Sequence, residues 1–292
     1  MSMATEPGTA APTPSGAPAA SSIPARSGHY GPLQLCRSEW TKLRTVRSTI
    51  WTLSVTMLAV VGIGAIATAV TAHQWRQGGI VDRINFDPTA RSLAGLFLGE
   101  ICLGVLGVLA VTAEYSSGTI RATLAAAPNR RMVLACKAAV FGAVALVTSE
   151  VLTFAAFLLG QQLLKGTTPY ATLGEPGVLR AVAGTGLTLT VVALFALALG
   201  VIIRHTAGAI AAFVASLLVL PLILQAFPVS IQHGALKYLP LVIAERMAAT
   251  TSPASDFGNA ALFSPWVGFA ILCGYTLALL LIGGWLFSRR DA

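Results

Sequence analysis

Six long apolar runs separated by polar interruptions dominate the hydrophobic pattern of the chain. They lie at about 50–72, 92–113, 133–164, 178–203, 207–227 and 266–287. Each is near the roughly 20 residues a helix needs to cross a bilayer core, so the pattern predicts six transmembrane helices. The third run is longer than a span needs, which predicts a helix that tilts or starts below the membrane. Residues 178–227 are too long for one span, and Arg204-His205 breaks them into a tight helical hairpin. The fold class is an all-α integral membrane protein.

The polar interruptions differ in character. Residues 1–28 are rich in Ala, Pro, Ser, Thr and Gly, the composition of a disordered tail, and lack the pattern of a signal peptide. Residues 29–292 form one six-span domain. Its first piece, 33–48, places Leu33, Cys36, Trp40 and Leu43 on one side of a helix, flanked by Arg37, Arg44 and Arg47. Glu39 and Lys42 lie away from that side. Such a helix suits the membrane interface, with Trp at headgroup depth and arginines reaching to water. A cytoplasmic extension of the first span is the alternative.

The segment 114–137, EYSSGTIRATLAAAPNRRMVLACK, is too polar to span and too short to be a domain. Ser116 or Ser117 can cap a helix here. Ile120, Leu124 and Ala127 then make one apolar stripe, Pro128 stops the helix, and Asn129 caps the third span. The result is a short helix across the inner mouth of the bundle. The last outer connection, 228–265, holds an apolar piece at 235–249 interrupted by Pro240 and containing Glu245-Arg246. It predicts either a short re-entrant or interfacial helix pair or a plain loop.

Composition agrees with the membrane assignment. The 292 residues are 55% hydrophobic and only 10% charged, whereas soluble domains carry about 25% charged residues. The formal charge of +8 sits at the ends of apolar runs, as topology signals do, and no basic face with interleaved aromatics points to nucleic acid. With both termini inside, 12 of the 19 Lys and Arg residues fall on the inner side, which favours cytoplasmic termini. The four cysteines, Cys36, Cys102, Cys136 and Cys273, are scattered without metal-type spacing and read as small apolar fillers.

Candidate chemistry is sparse. No phosphate-binding loop occurs; the nearest text, GQQLLKG at 160–166, has the wrong spacing. No catalytic triad or metal cluster stands out, so no catalytic or metal residue and no bound cofactor is assigned. Glu100 in the second span and Glu150 in the third are intramembrane carboxylates, which line a translocation path or lock helices together. Gly95 and Gly99, like Gly62/Gly64 and Gly184/Gly186, permit close helix approach, expected within one chain rather than at a dimer seam.

The pattern Glu114-x-x-x-Gly118-Thr119-Ile120-Arg121-x-x-Leu124, then Pro128-x-Arg130-Arg131 and Lys137, resembles the coupling-helix region of permeases of the type-2 ABC exporter family. SEWTKLRTVRST at 38–49 resembles the N-terminal connecting helix of actinobacterial members. Together with the six-span layout, the resemblance covers about residues 33–290.

It implies a non-enzymatic half-transporter of the bacterial inner membrane. Two permease subunits, identical or different, face each other, and each docks on a separate cytosolic ABC ATPase that carries ATP and Mg. Carried over, Gly118, Thr119, Ile120, Arg121 and Leu124 form the docking helix, and Glu39 and Lys42 face the ATPase. The implied function is ATP-driven export of an amphiphilic or small-molecule substrate. The alternatives are a gradient-driven transporter using Glu100 and Glu150, and a membrane anchor or signalling subunit without transport.

Overall fold

The computed structural model describes residues 31–45, 47–75, 86–120, 129–250 and 262–289. The predicted tail at 1–28 lies outside them, as do residues 121–128 and 251–261. Among the described residues the secondary structure is helical, without strands, and six helices are long and apolar enough to cross a membrane. Helix α1 (Pro32–Thr45) precedes the first span, α2 (Arg47–Gln74). After a short α3 (Pro88–Ser92), the second and third spans are α4 (Leu96–Ser116) and α5 (Arg130–Leu164). The fourth is α6 (Val178–Ile203).

The fifth span runs from α7 (Thr206–Val214) through a π-helical turn at Ala215–Val219 into α8 (Leu220–Leu224). Pro221 has no N–H for the carbonyl four residues back, and the widened turn just before it accommodates that loss. Beyond it lie α9 (Val229–Ala235), a 3₁₀ turn at Leu236–Tyr238, and α10 (Pro240–Ala248). The sixth span is α11 (Pro265–Arg289).

The second apolar run does not start as one helix at residue 92. Asp87 caps α3 by accepting from the amides of Thr89 and Ala90, and the chain turns before restarting at Leu96. The hairpin at Arg204-His205 forms as the sequence predicts. Arg204 adopts a left-handed conformation (φ 59°). His205 is extended, and its Nδ1 accepts from the Gly208 amide at 3.2 Å to cap α7. Between the helix pair and the loop left open for the last outer connection, the structure has short helices. Val242, Ile243 and Met247 of α10 are buried, and α10 packs on α6 and α11.

α6 is the hub. It packs against α4, α5, α7, α10 and α11. Of its most apolar stretch 67% is buried, against 22% for the first, fifth and sixth spans, which places those at the periphery. Glycines set its distance from α4: a Cβ on Gly107 would stand 2.3 Å from the Ala193 carbonyl oxygen. On the other side of α4, a Cβ on Gly95 would stand 2.5 Å from the Val60 oxygen. These small-residue contacts are within the chain, as expected.

Polar contacts lash the end away from the termini. Arg180 donates to the carbonyls of Met247 and Ala249 at 3.0 and 2.8 Å. The second Asp87 oxygen accepts from the Thr250 amide at 2.6 Å and from its hydroxyl at 2.9 Å. Gln161 of α5 donates to the Pro88 carbonyl and the Ser92 hydroxyl, both at 2.9 Å.

Gly107→Val is expected to lower unfolding stability in detergent by about 1–3 kcal/mol, the usual cost of overpacking. Gly62→Ala, where a Cβ would meet nothing within 4 Å, is expected to cause no loss. Thermal unfolding of the two purified variants checks the contrast.

Candidate functional site: a buried ion network at the end that carries the termini

Three helices meet where the second span ends and the third begins. α1 packs along the first turns of α5, and Glu114 stands in the last turn of α4. Helical spacing on α1 puts Glu39 and Lys42 on one face, and that face is turned inward. The Lys137 ammonium of α5 donates to Glu39 Oε2 at 2.5 Å and to Glu114 Oε1 at 2.8 Å. Lys42 donates to Glu39 Oε1 at 2.7 Å and to Glu114 Oε1 at 3.0 Å. Two ammoniums and two carboxylates thus form a neutral square joining α1, α4 and α5.

The four members are unequally buried. The side chains of Lys137, Glu39 and Glu114 are 8%, 7% and 13% exposed, and that of Lys42 is 41% exposed. Lys137 is the one whose neutralisation would leave two buried carboxylates facing each other. Burial pulls the Lys42 ammonium down, but its bonds to Glu39 and Glu114 and their charges outweigh this and hold it above its ordinary value of 10.5. A raised folded-state value means that Lys42 gives its full contribution below the ordinary value and loses it as pH rises past it.

An aromatic relay extends the network. Tyr115, next to Glu114, lies under the Arg204 guanidinium, 5.3 Å from ring centroid to carbon. Arg204 also covers Phe287 of α11 at 5.9 Å and donates to the Leu286 carbonyl at 3.4 Å. Because Arg204 ends α6 in a left-handed turn, its side chain reaches both α4 and α11. The relay joins α6 and α11 to the helices that the network already holds.

The chain leaves this cluster through Gly118, whose φ of +69° is a conformation glycine adopts at little cost. The sequence offers Ser116 or Ser117 as a cap for the following helix. Instead both hydroxyls turn back to the Ala113 carbonyl, at 3.1 and 2.8 Å, and close α4. Helical structure resumes at Thr119 and Ile120. Thr119 is exposed, its hydroxyl 2.9 Å from that of Ser117. Ile120 is 5% exposed and belongs to the main core with Val111 and Leu134. Arg121, Leu124, Ala127 and Pro128 lie outside the described residues. Asn129 caps α5 as predicted, accepting from the Met132 amide.

The structure therefore gathers Glu39 and Lys42 beside Gly118 but points the Glu39 carboxylate into the protein rather than outward. Leu33 and Trp40 face away from the bundle, 85% and 50% exposed. The side chains of Leu43 and Arg47 lie outside the described residues. Sequence reasoning passed over Glu114 and Lys137 as site residues. A lysine two turns into an apolar helix was the available signal, since an ionisable group there needs a partner.

Glu100 and Glu150 are not brought together. Glu100 is 4% exposed, and its Oε2 has no hydrogen-bond partner among the described residues. The Tyr275 hydroxyl of α11 also lacks one and lies within electrostatic reach of Glu100. Glu150 is half-buried against α6, where a Cβ on Gly186 would stand 2.6 Å from its carboxyl carbon. No group of three potential metal ligands occurs among the described residues.

Residues 38–292 match the family model described as ABC-2 family transporter protein, and the chain belongs to that family. No curated protein matches it. Membership makes the chain a multi-pass membrane component of an ABC transporter, a type of subunit that works with an ABC ATPase.

Lys137→Met is expected to destabilise the chain by about 3–5 kcal/mol, because it strands buried charge. Lys42→Met, at the exposed corner, is expected to cost about 0–1 kcal/mol. Unfolding of the purified variants near neutral pH, where the Lys42 contribution is complete, measures both. Equal losses would contradict the assignment of Lys137 as the centre.

Proposed function

We propose that this chain is the permease subunit of an ATP-driven exporter, driven by a separate cytosolic ATPase that docks around residues 118–124. The observation that carries this reading is the ion network, which fastens α1 and the inner ends of α4 and α5 around the start of that segment. A push delivered at Gly118–Leu124 would then move three helices as one body, the kind of rigid-body step by which transporters alternate. Gly118, Thr119, Arg121 and Leu124 form the docking surface, with Lys42 at its edge. Glu39 and Ile120 act from inside, holding that surface to the bundle.

The termini lie in the cytoplasm, α1 rests at the bilayer interface through Leu33 and Trp40, and a second permease subunit completes the pathway. ATP and Mg are bound by the partner. The substrate is an amphiphile or small molecule, consistent with an apolar bundle that holds few polar points. A second reading, gradient-driven transport through Glu100, draws on the unpartnered oxygen of that buried carboxylate. It predicts transport in vesicles that carry an ion gradient but no ATP.

Arg121→Glu combined with Gly118→Trp is expected to cut ATPase co-purification at least about tenfold, the effect of roughly 1.4 kcal/mol, while the permease still inserts and purifies. A pull-down from detergent extract, with the captured partner sequenced, reads this directly. Undiminished capture of the ATPase by the double variant would overturn the docking assignment.

A further inference from the structure

Cys36 and Cys136 stand far apart in the sequence and read there as unrelated fillers. The fold puts them together. α1 crosses the first turns of α5, and the Cys136 thiol donates to the Pro32 carbonyl at 3.4 Å. Leu35 and Val133 form a small apolar cluster with Cys136, and Cys36 packs against that cluster together with Met132. Cys136 is 5% exposed, and Cys36 is half-buried. Glu39 lies one turn further along α1 and Lys137 directly follows Cys136 on α5, so this pair sits beside the ion network.

We propose that Cys36 and Cys136 are an oxidation site that closes to a disulfide and staples α1 to α5. The oxidant is a peroxide, and exposure sets the order of events. The accessible Cys36 sulfur, as thiolate, attacks a peroxide oxygen. The O–O bond breaks, water or an alcohol leaves, and Cys36 becomes a sulfenic acid. The Cys136 sulfur then attacks the Cys36 sulfur; the S–S bond forms, and the hydroxyl leaves as water with the Cys136 proton. Two thiols lose two electrons and two protons, and the peroxide gains them. Two cysteines brought into one packed cluster need no large chain movement to react, whereas Cys102 and Cys273 sit in α4 and α11 and serve as internal controls.

The consequence is mechanical. A covalent link one turn from Glu39 and adjacent to Lys137 holds α1 to α5 whatever the state of the ion network. Under the function proposed above, it would fix the relative positions of two of the three helices around the docking segment. The chemistry itself does not depend on that function.

The test uses the purified full-length chain in lipid nanodiscs, treated with hydrogen peroxide, blocked with a maleimide, and digested without reduction. The expected result is one linked peptide pair joining Cys36 to Cys136, reversed by dithiothreitol. Maleimide-reactive thiols should fall from four to two per chain, four being the number of cysteines present. Cys36→Ser and Cys136→Ser should each abolish the link, while the Cys102→Ser/Cys273→Ser variant should retain it. Oxidation that stops at sulfenic or sulfinic acid on Cys36 would overturn the proposal, as would a link to Cys102 or Cys273 or between two chains.

Discussion

Burying the Lys137 ammonium between two carboxylates is the constraint on which the inner half of this molecule depends. An unpaired ammonium in that position would be costly, so Glu39 and Glu114 must both be delivered to it. That requirement fixes the register of α1 on α5 and the depth at which α4 ends. Paired buried charges are not in themselves a strong source of net stability, because desolvation offsets much of their attraction. Their effect is specificity: α1 has one docked position in which all four charges are matched.

The rest of the bundle is arranged to keep that site in place. α5 has 35 residues, about 52 Å at the usual helical rise, well beyond a core of roughly 30 Å. Its first two turns are thus free to extend below the apolar layer and carry Lys137 to meet α1. At α4, Gly107 and Gly95 allow contact with α6 and α2 at backbone distance, so the helix bearing Glu114 has neighbours on both sides. Arg204 then ties α6 and α11 to Tyr115. The same α4 helix leads through Gly118 into the segment proposed to dock the ATPase, and a force applied there has a short path into the spans.

The long apolar runs made six helices legible from sequence, since no other element satisfies that many backbone groups in lipid. Local chemistry was legible too: Asn129 caps α5, and Arg204-His205 turns the hairpin. What failed was orientation. A helical wheel separates Leu33 and Trp40 from Glu39 and Lys42 but cannot say which face meets the protein. By sequence, Leu33 and Trp40 sit at the membrane interface and Glu39 and Lys42 turn toward a partner, whereas the structure keeps Leu33 and Trp40 exposed and buries the Glu39 carboxylate against the bundle. The inward Glu39 and the Lys137 square follow from the burial of that polar face, while Cys36, on the Leu33 side of the wheel, is half-buried beside the cluster that holds Cys136. The split of the second run at Leu93–Gly95 was hidden for another reason: it depends on the Asp87 cap and on close packing against Val60, neither of which leaves a mark in hydropathy.

The central claim is that the network transmits force because its charges balance across three helices. Its most direct test is a double-mutant cycle of Glu39→Gln and Lys137→Met in the reconstituted complex, read as permease-stimulated ATP turnover. Each single change unbalances the square by one charge, in opposite directions, and the double change restores neutrality with Glu114 and Lys42 still paired. The account predicts that the double variant retains more stimulation than the product of the two single effects, by a coupling above the ~0.5 kcal/mol scatter of independent sites. Single effects that simply multiply, or single variants with full stimulation, would contradict it.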